Sequence, residues 1–277
     1  MSARLLQSGY PNSHSLPGRR AELHRLVAAF RAREPLLVHG PAGSGKTALL
    51  HAAVARLNAL ERIRVLDPRP SATPGALAAE LLRLLEATCN PIAAAALAAK
   101  NRPSARRQGA ILIDALSASP YWLVLDHFPC FTQPTARLLK HILARTGTPI
   151  YVAARGITRS ELGANLSLYW CAKLRLELAP LAPSSASELV NRETRGLDLP
   201  ASELADFRAS VLRVSARLPG AILQLCALAK QPSYRSHARL KTALLQIDAR
   251  ISTYRGAAIG SPAMRFGAPA AAAGEIE

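Results

Sequence analysis

The sequence predicts an α/β fold: a parallel five-stranded sheet flanked by helices, followed by a small all-helical domain. Two observations carry the prediction. Up to Leu178, five short apolar runs alternate with longer stretches of helical periodicity, the pattern of parallel strands joined by crossover helices. After Leu178 the alternation stops and only helical periodicity remains.

In order, the strands are expected at Pro35–His39, Ile63–Asp67, Tyr121–Asp126, Pro149–Ala154 and Lys173–Leu178, each five or six residues long and bounded by turn residues or charge. Four of the five contain Val or Ile, which suit a pleated, buried surface. Between them, helices are expected at Thr47–Asn58, Pro74–Thr88, Ser104–Ser117, Pro134–Arg145 and Thr158–Leu162. Helices at 184–194, 201–216, 219–230 and 237–251 follow. In the last, Leu240, Leu244, Ile247 and Ile251 recur at spacings of 4, 3 and 4 and form one apolar stripe. Trp170 and Cys171, beside the fifth strand, are expected in the core. The domains read as an N-terminal extension over 1–15, an α/β domain over 16–180, a helical domain over 181–253 and a tail over 254–277 with little to bury.

Composition removes several function classes. Of 277 residues 49% are hydrophobic, which excludes wholesale disorder. No apolar run reaches the ~18 residues of a membrane span, and residues 1–15 lack the apolar core of a secretory signal. Cys89, Cys130, Cys171 and Cys226 are scattered, with no C-x-x-C pair, against a disulfide framework or a zinc site. The chain reads as soluble and cytoplasmic. Its net charge is +17, from 35 Lys+Arg against 18 Asp+Glu. Such a surplus favours anionic partners but selects none, and an Arg- and Ala-rich composition alone produces it. The densest cluster, Lys100, Arg102, Arg106 and Arg107, reads either as a solvated loop or as a nucleic-acid contact.

Residues 40–47 carry the chemistry. Gly40, Pro41, Ala42, Gly43, Ser44, Gly45, Lys46 and Thr47 form a complete G-x-x-x-x-G-K-T between an apolar strand and an apolar helix. The glycines let backbone N–H groups wrap around phosphate oxygens, and the helix that follows points its positive end at the same anion. Lys46 supplies charge to the β- and γ-phosphates of a nucleoside triphosphate, and the Thr47 hydroxyl can ligate Mg²⁺. The partner expected on the other side of the metal is an acid closing a second buried strand. Asp126, ending Tyr121–Asp126, is that acid.

With these motifs in place, further residues fit. Leu16–Leu23 contains Gly18, Arg19 and Glu22 and resembles the G-R-x-x-E-L box of AAA+ ATPases of the initiator group and of the related STAND ATPases. The resemblance implies that this box closes over the adenine and that Arg155, after the fourth apolar run, senses the γ-phosphate. Leu178–Leu181 is similar to the L-x-P-L motif that leads into their lid, and Leu218–Ala221 to a Gly/Pro motif that sets Pro219 near the adenine. The implied fold is a P-loop NTPase sheet with an AAA+-type lid. The implied function is a nucleotide-dependent switch that homo-oligomerises on ATP binding, its work either DNA-associated, as in initiator or transposition ATPases, or signalling, as in STAND proteins; the basic surface leans toward DNA, and a protein partner is expected.

Two departures bear on the activity. The family's Glu after the Walker B Asp is His127 here, and Arg155 stands where a polar sensor is usual. An imidazole can accept a proton, so slow hydrolysis fits better than a fast motor. Three readings follow: a switch that hydrolyses ATP, an ATP-binding scaffold without turnover, and a P-loop phosphotransferase acting on a small molecule. An arginine finger has several candidates in Arg137, Arg145 and Arg159. The chain leaves little length after the lid, so DNA contact is expected from the ATPase itself.

Overall fold

The computed structural model describes residues 16–57, 63–67, 73–87, 90–99, 103–118, 120–128, 130–236, 239–249 and 251. Strands β1 (Leu36–His39), β2 (Ile63–Leu66), β3 (Trp122–Leu125), β4 (Ile150–Ala154) and β5 (Arg175–Glu177) form one sheet in the order β2-β3-β4-β1-β5. Every neighbouring pair is parallel. Each strand lies within two residues of its expected bounds. β1 and β4 sit centrally, so their C-terminal ends open onto the same edge of the sheet.

Two apolar layers cover the sheet. On one face α1 (Arg20–Ala32) and α2 (Lys46–Ala55) pack Leu26, Phe30, Leu49 and Ala53 against Val38, Val124, Tyr151 and Ala153. Phe30 stacks on Tyr151 with ring centroids 3.9 Å apart, and the buried Tyr151 hydroxyl donates to Ala29 O at 3.1 Å. On the other face lie α3 (Pro74–Glu86), α4 (Pro91–Ala98), α5 (Ala105–Ser117) and α6 (Gln133–Thr146). Three of these start where sequence chemistry says a helix should. Thr73, Asn90 and Ser104 each accept the N–H of the residue three positions on, satisfying an otherwise orphaned donor.

After the short α7 (Arg159–Leu162), two 3₁₀ turns, Ala164–Tyr169 and Ala172–Leu174, lead into β5. The expectation for Trp170 and Cys171 is corrected here: both are exposed, Trp170 by 75%. Tyr169 takes the buried place instead, its hydroxyl donating to Ile150 O at 3.1 Å. Arg175 then binds the carbonyls of Tyr169 and Trp170, at 2.6 and 3.0 Å, and fixes the turn with the indole outward.

A third apolar core holds the C-terminal part: α8 (Pro183–Glu193), α9 (Ala201–Val214), α10 (Pro219–Ala229) and a helix over 242–249. Helical periodicity hid a small feature there. Arg235–Ser236 and Arg239–Leu240 form an antiparallel two-stranded hairpin, β6 and β7, so the last helix begins at 242 and not at 237. The shift in register overturns the reading of its stripe as a unit. Leu240 is buried on the hairpin and Leu245 and Ala249 face the core, whereas Leu244, Ile247 and Ile251 are exposed. The extension 1–15, the tail 254–277, Lys100, Arg102 and Cys89 fall outside the described residues.

Candidate functional site

The loop Gly40–Gly45 leaves the end of β1 and turns into α2 with no side-chain cap. Gly43 and Gly45 hold φ of +77° and +94°, a region that a Cβ makes costly. Gly45 is the N-cap of α2, so Lys46 and Thr47 are its first two helical residues. Ser44 is fully buried beneath the loop. Lys46 Nζ donates back to the carbonyls of Gly40 and Pro41, at 2.7 and 2.9 Å. Burial lowers the Lys46 ammonium from 10.5 to about 8, against the carboxylates of Asp126 and Glu161, which raise it, and with Arg155, which lowers it further. One electrostatic neighbourhood therefore joins β1, β3, the end of β4 and α7.

Asp126 directly follows β3 and is buried, its N–H bonded to Leu66 O at 2.9 Å. Its Oδ1 accepts the backbone N–H of His127 at 2.9 Å, while Oδ2 lies 3.7 Å from His127 Nε2. His127 adopts φ +54°, strained for a non-glycine residue, and its side chain is 48% exposed. Phe128 N–H then bonds Ala153 O at 2.9 Å, which pins the turn to β4. Arg155 follows β4 and is exposed at the mouth.

Glu161 is the residue that the sequence did not single out. It is half-buried on α7, and a Cβ placed on Gly156, next to Arg155, would meet its Cγ at 3.4 Å. Nothing local marks it, because its nearness to Lys46 comes from β4 lying beside β1.

The box ahead of the loop acts as a clamp. Arg19 is buried. Its Nη1 donates to Glu22 Oε1 at 2.9 Å, and its Nη2 donates to Ala179 O and, at 3.4 Å, to Ser44 O. Its Nε is buried with no hydrogen-bond partner among the described residues. Gly18 backs onto α8, where an added Cβ would lie 2.6 Å from Ser185 Cβ. Pro219 occupies the first turn of α10, and the next residue, Gly220, donates its N–H to Gly43 O at 2.8 Å. The box, the loop, the link at Ala179 and the start of α10 thus meet. Of the residues predicted from sequence, Arg19 reaches Ser44 O, Gly18 lies against α8, Asp126 and Arg155 act electrostatically on Lys46, His127 adjoins Asp126, and Pro219 precedes the Gly220 that bonds Gly43.

The donor set suits a hard divalent cation: one hydroxyl at the start of α2 and one buried carboxylate, both oxygen ligands. No group of three or more His, Cys, Asp or Glu that could bind a metal alone occurs among the described residues. A cation here would need ligands from a phosphate. No helix among the described residues is long and apolar enough to cross a membrane.

Comparison with known proteins agrees with this geometry. Residues 15–221 match the family model of the AAA ATPase domain. The fold is similar to the Aeropyrum pernix ORC1 protein solved in complex with DNA, with TM-score 0.65 and 18% identity over 91% of this chain and 69% of that one. It is also similar to the Walker-type ATPase PABY2304 of Pyrococcus abyssi, with TM-score 0.61 and 13% identity over 91% and 78% of the two chains. Domain III of the Thermotoga maritima replication initiation protein DnaA gives TM-score 0.51 and 18% identity over 84% and 92%. No curated protein matches the sequence.

Proposed function

The chain belongs to the AAA ATPase domain family, and from that premise we propose that it is an ATP-dependent switch that hydrolyses ATP slowly and associates with DNA. The observation that carries the reading is the hydrogen bond from Gly220 N–H to Gly43 O. Through it the lid rests on the crest of the phosphate loop, so phosphates entering the loop bear on the lid's position as well as on Lys46.

In this reading the loop N–H groups and the start of α2 cradle the β- and γ-phosphates, and Lys46 balances their charge. Thr47 and Asp126 would hold Mg²⁺, which neutralises charge on the phosphates when bound. Arg155, at the end of β4, contacts the γ-phosphate and reports its loss. The clamp of Gly18 and Arg19 with Pro219 closes the base end, and the unpartnered Arg19 Nε supports an acceptor arriving there with the ligand. Water attacks the γ-phosphorus, the bond to the ADP oxygen breaks, and the proton passes to a base. Glu161 is the carboxylate we assign to that role, with His127 as the competing imidazole. Homo-oligomerisation on ATP binding and a protein partner belong to the same proposal, drawn from the initiator-like fold.

Single-turnover hydrolysis with Mg²⁺ and radiolabelled ATP tests it, with Lys46→Ala as the binding control. Slow release of phosphate by the wild type, and neither binding nor release by Lys46→Ala, is the expected result. Tight binding with no release by the wild type would replace the switch with a scaffold that uses ATP as a structural ligand.

A further inference from the structure

The basic surplus is not spread evenly over the surface. Many arginines serve internal contacts. Arg25 binds the carbonyls of Lys173 and Arg175, Arg33 lies 4.9 Å over the Trp122 ring, and Arg208 binds Thr194 Oγ1. Helix α6 is different. Its sequence QPTARLLKHILART holds no Asp or Glu, and Leu139 and Ile142 anchor its inner face in the core. Arg137, Lys140, His141 and Arg145 are exposed and fall at helical spacing on the opposite face. Among the described residues no ion pair involves any of them.

The neighbours strengthen this charge. Helix α5 packs alongside, with Gly109 against Leu138, and exposes Arg106 one turn before that contact. Asp114 is the one acid within α5, and α3, which also packs on α6, carries Glu80, paired with Arg83, and Glu86. On the other flank the turn Ala164–Tyr169, which packs on α6, carries no charge.

We propose that the exposed face of α6, centred on Arg137, Lys140 and Arg145, binds the phosphate backbone of duplex DNA. This rests on the DNA association proposed above and gives it a place. From Arg137 to Arg145 the row is about 12 Å long at the α-helical rise, comparable with the ~12 Å width of the major groove, so its cations reach the phosphates that border it. The face carries no aromatic or large apolar side chain to enter a bilayer or to wedge between bases. It therefore reads charge and shape and not sequence.

The test is fluorescence anisotropy of a labelled duplex across a salt series, with the full chain. Three proteins are compared: wild type, a triple variant Arg137→Gln, Lys140→Gln and Arg145→Gln, and a control triple variant Arg31→Gln, Arg56→Gln and Arg213→Gln, which removes the same charge elsewhere. Circular dichroism confirms that all three are folded. The α6 variant should lose at least about tenfold in affinity at low salt, with a log–log salt slope shallower by about 3, while the control changes little. Equal losses in the two variants would mean diffuse attraction and would overturn the assignment to α6. An unchanged α6 variant would overturn it too, with DNA association left standing. A wild type that ignores duplex at low salt would sink the association itself. Binding of the wild type to phosphatidylserine vesicles in preference to duplex would replace DNA by a membrane surface.

Discussion

Gly43 and Gly220 meet backbone to backbone: Gly220 N–H donates to Gly43 O at 2.8 Å, and a Cβ on Gly220 would stand 2.8 Å from Gly43 Cα. The two residues are 177 apart in sequence, one in the loop after β1 and one in the first turn of α10 in the C-terminal helical part. A side chain at Gly220 would push the two apart, whereas a Cβ on Gly43 would lie an ordinary 3.6 Å from Gly220 Cα and meet its cost in the φ of +77°. A contact made of backbone alone is stiff, because neither partner has a rotamer with which to yield.

Gly220→Ala should therefore lift the lid from the loop. Forcing a methyl into so close a contact costs about 1–3 kcal/mol, and a drop of several degrees in Tm is expected. ATP should restore less thermal stability to this variant than to the wild type, since phosphates and lid no longer share the loop. Differential scanning fluorimetry with and without ATP reads both. Gly109→Ala is the control: its added Cβ would find only Leu138 Cδ1, at 3.4 Å, and a helix interior favours Ala. A Gly220→Ala protein with wild-type Tm and ATP response would show that the contact transmits nothing.

The sheet was legible because each strand is short, apolar and cut off by a turn or a charge, and the phosphate loop was legible because glycine spacing encodes its backbone. The first helix buries Leu23, Leu26, Val27 and Phe30, but its opening turn is also the G-R-x-x-E-L box, so a motif and a helix start share the same residues. The helix Pro91–Ala98 is a run of alanines without a stripe, so periodicity could not find it. The exposed row Leu244, Ile247 and Ile251 misled for the opposite reason: its spacing is helical, but the hairpin at 235–240 sets which side turns inward. In the site, the order of the motifs gave Lys46, Asp126 and Arg155, while Glu161 depends on tertiary adjacency that no local pattern carries.

Nucleotide affinity should depend on pH through Lys46. Burial holds its ammonium at about 8 in the free protein, and bound phosphates would favour the charged form. Affinity is then flat below pH 8 and falls by up to about tenfold per unit above it, because binding must take up a proton. The sign for the free protein is the reverse. A depressed Lys pKa makes the unfolded chain bind more protons between about 8 and 10.5, so that stability rises with pH across that window. Titration calorimetry in two buffers of different ionisation heat measures the uptake. In Lys46→Arg, whose guanidinium stays charged, both the uptake and the slope should vanish.

Arg19 should be irreplaceable by Lys. Its guanidinium reaches Glu22, Ser44 O and Ala179 O at once, tying the start of α1 to the loop and to the link before the lid. A lysine offers one nitrogen where the site uses two, and loses at least one buried, charge-assisted bond worth about 1.5–3 kcal/mol. The expected result is a lower urea midpoint with an unchanged m-value, together with weaker ATP binding. Full stability with loss of ATP affinity alone would make Arg19 a ligand contact and not a clamp.

Within the proposed hydrolysis, the choice of base turns on where the side chains stand. β4 lies between β3 and β1, and Glu161, on α7 just after β4, is near enough for its charge to be felt at Lys46. His127 neighbours Asp126, but its ring leans toward the Asp126 carboxylate at 3.7 Å and is half-exposed, which suits holding that carboxylate more than activating water. Glu161→Gln should slow single-turnover phosphate release by about 10²- to 10⁴-fold, the usual contribution of a general base, with ATP affinity nearly unchanged. His127→Ala should cost far less. A large loss in His127→Ala beside a mild one in Glu161→Gln would hand the proton to the imidazole.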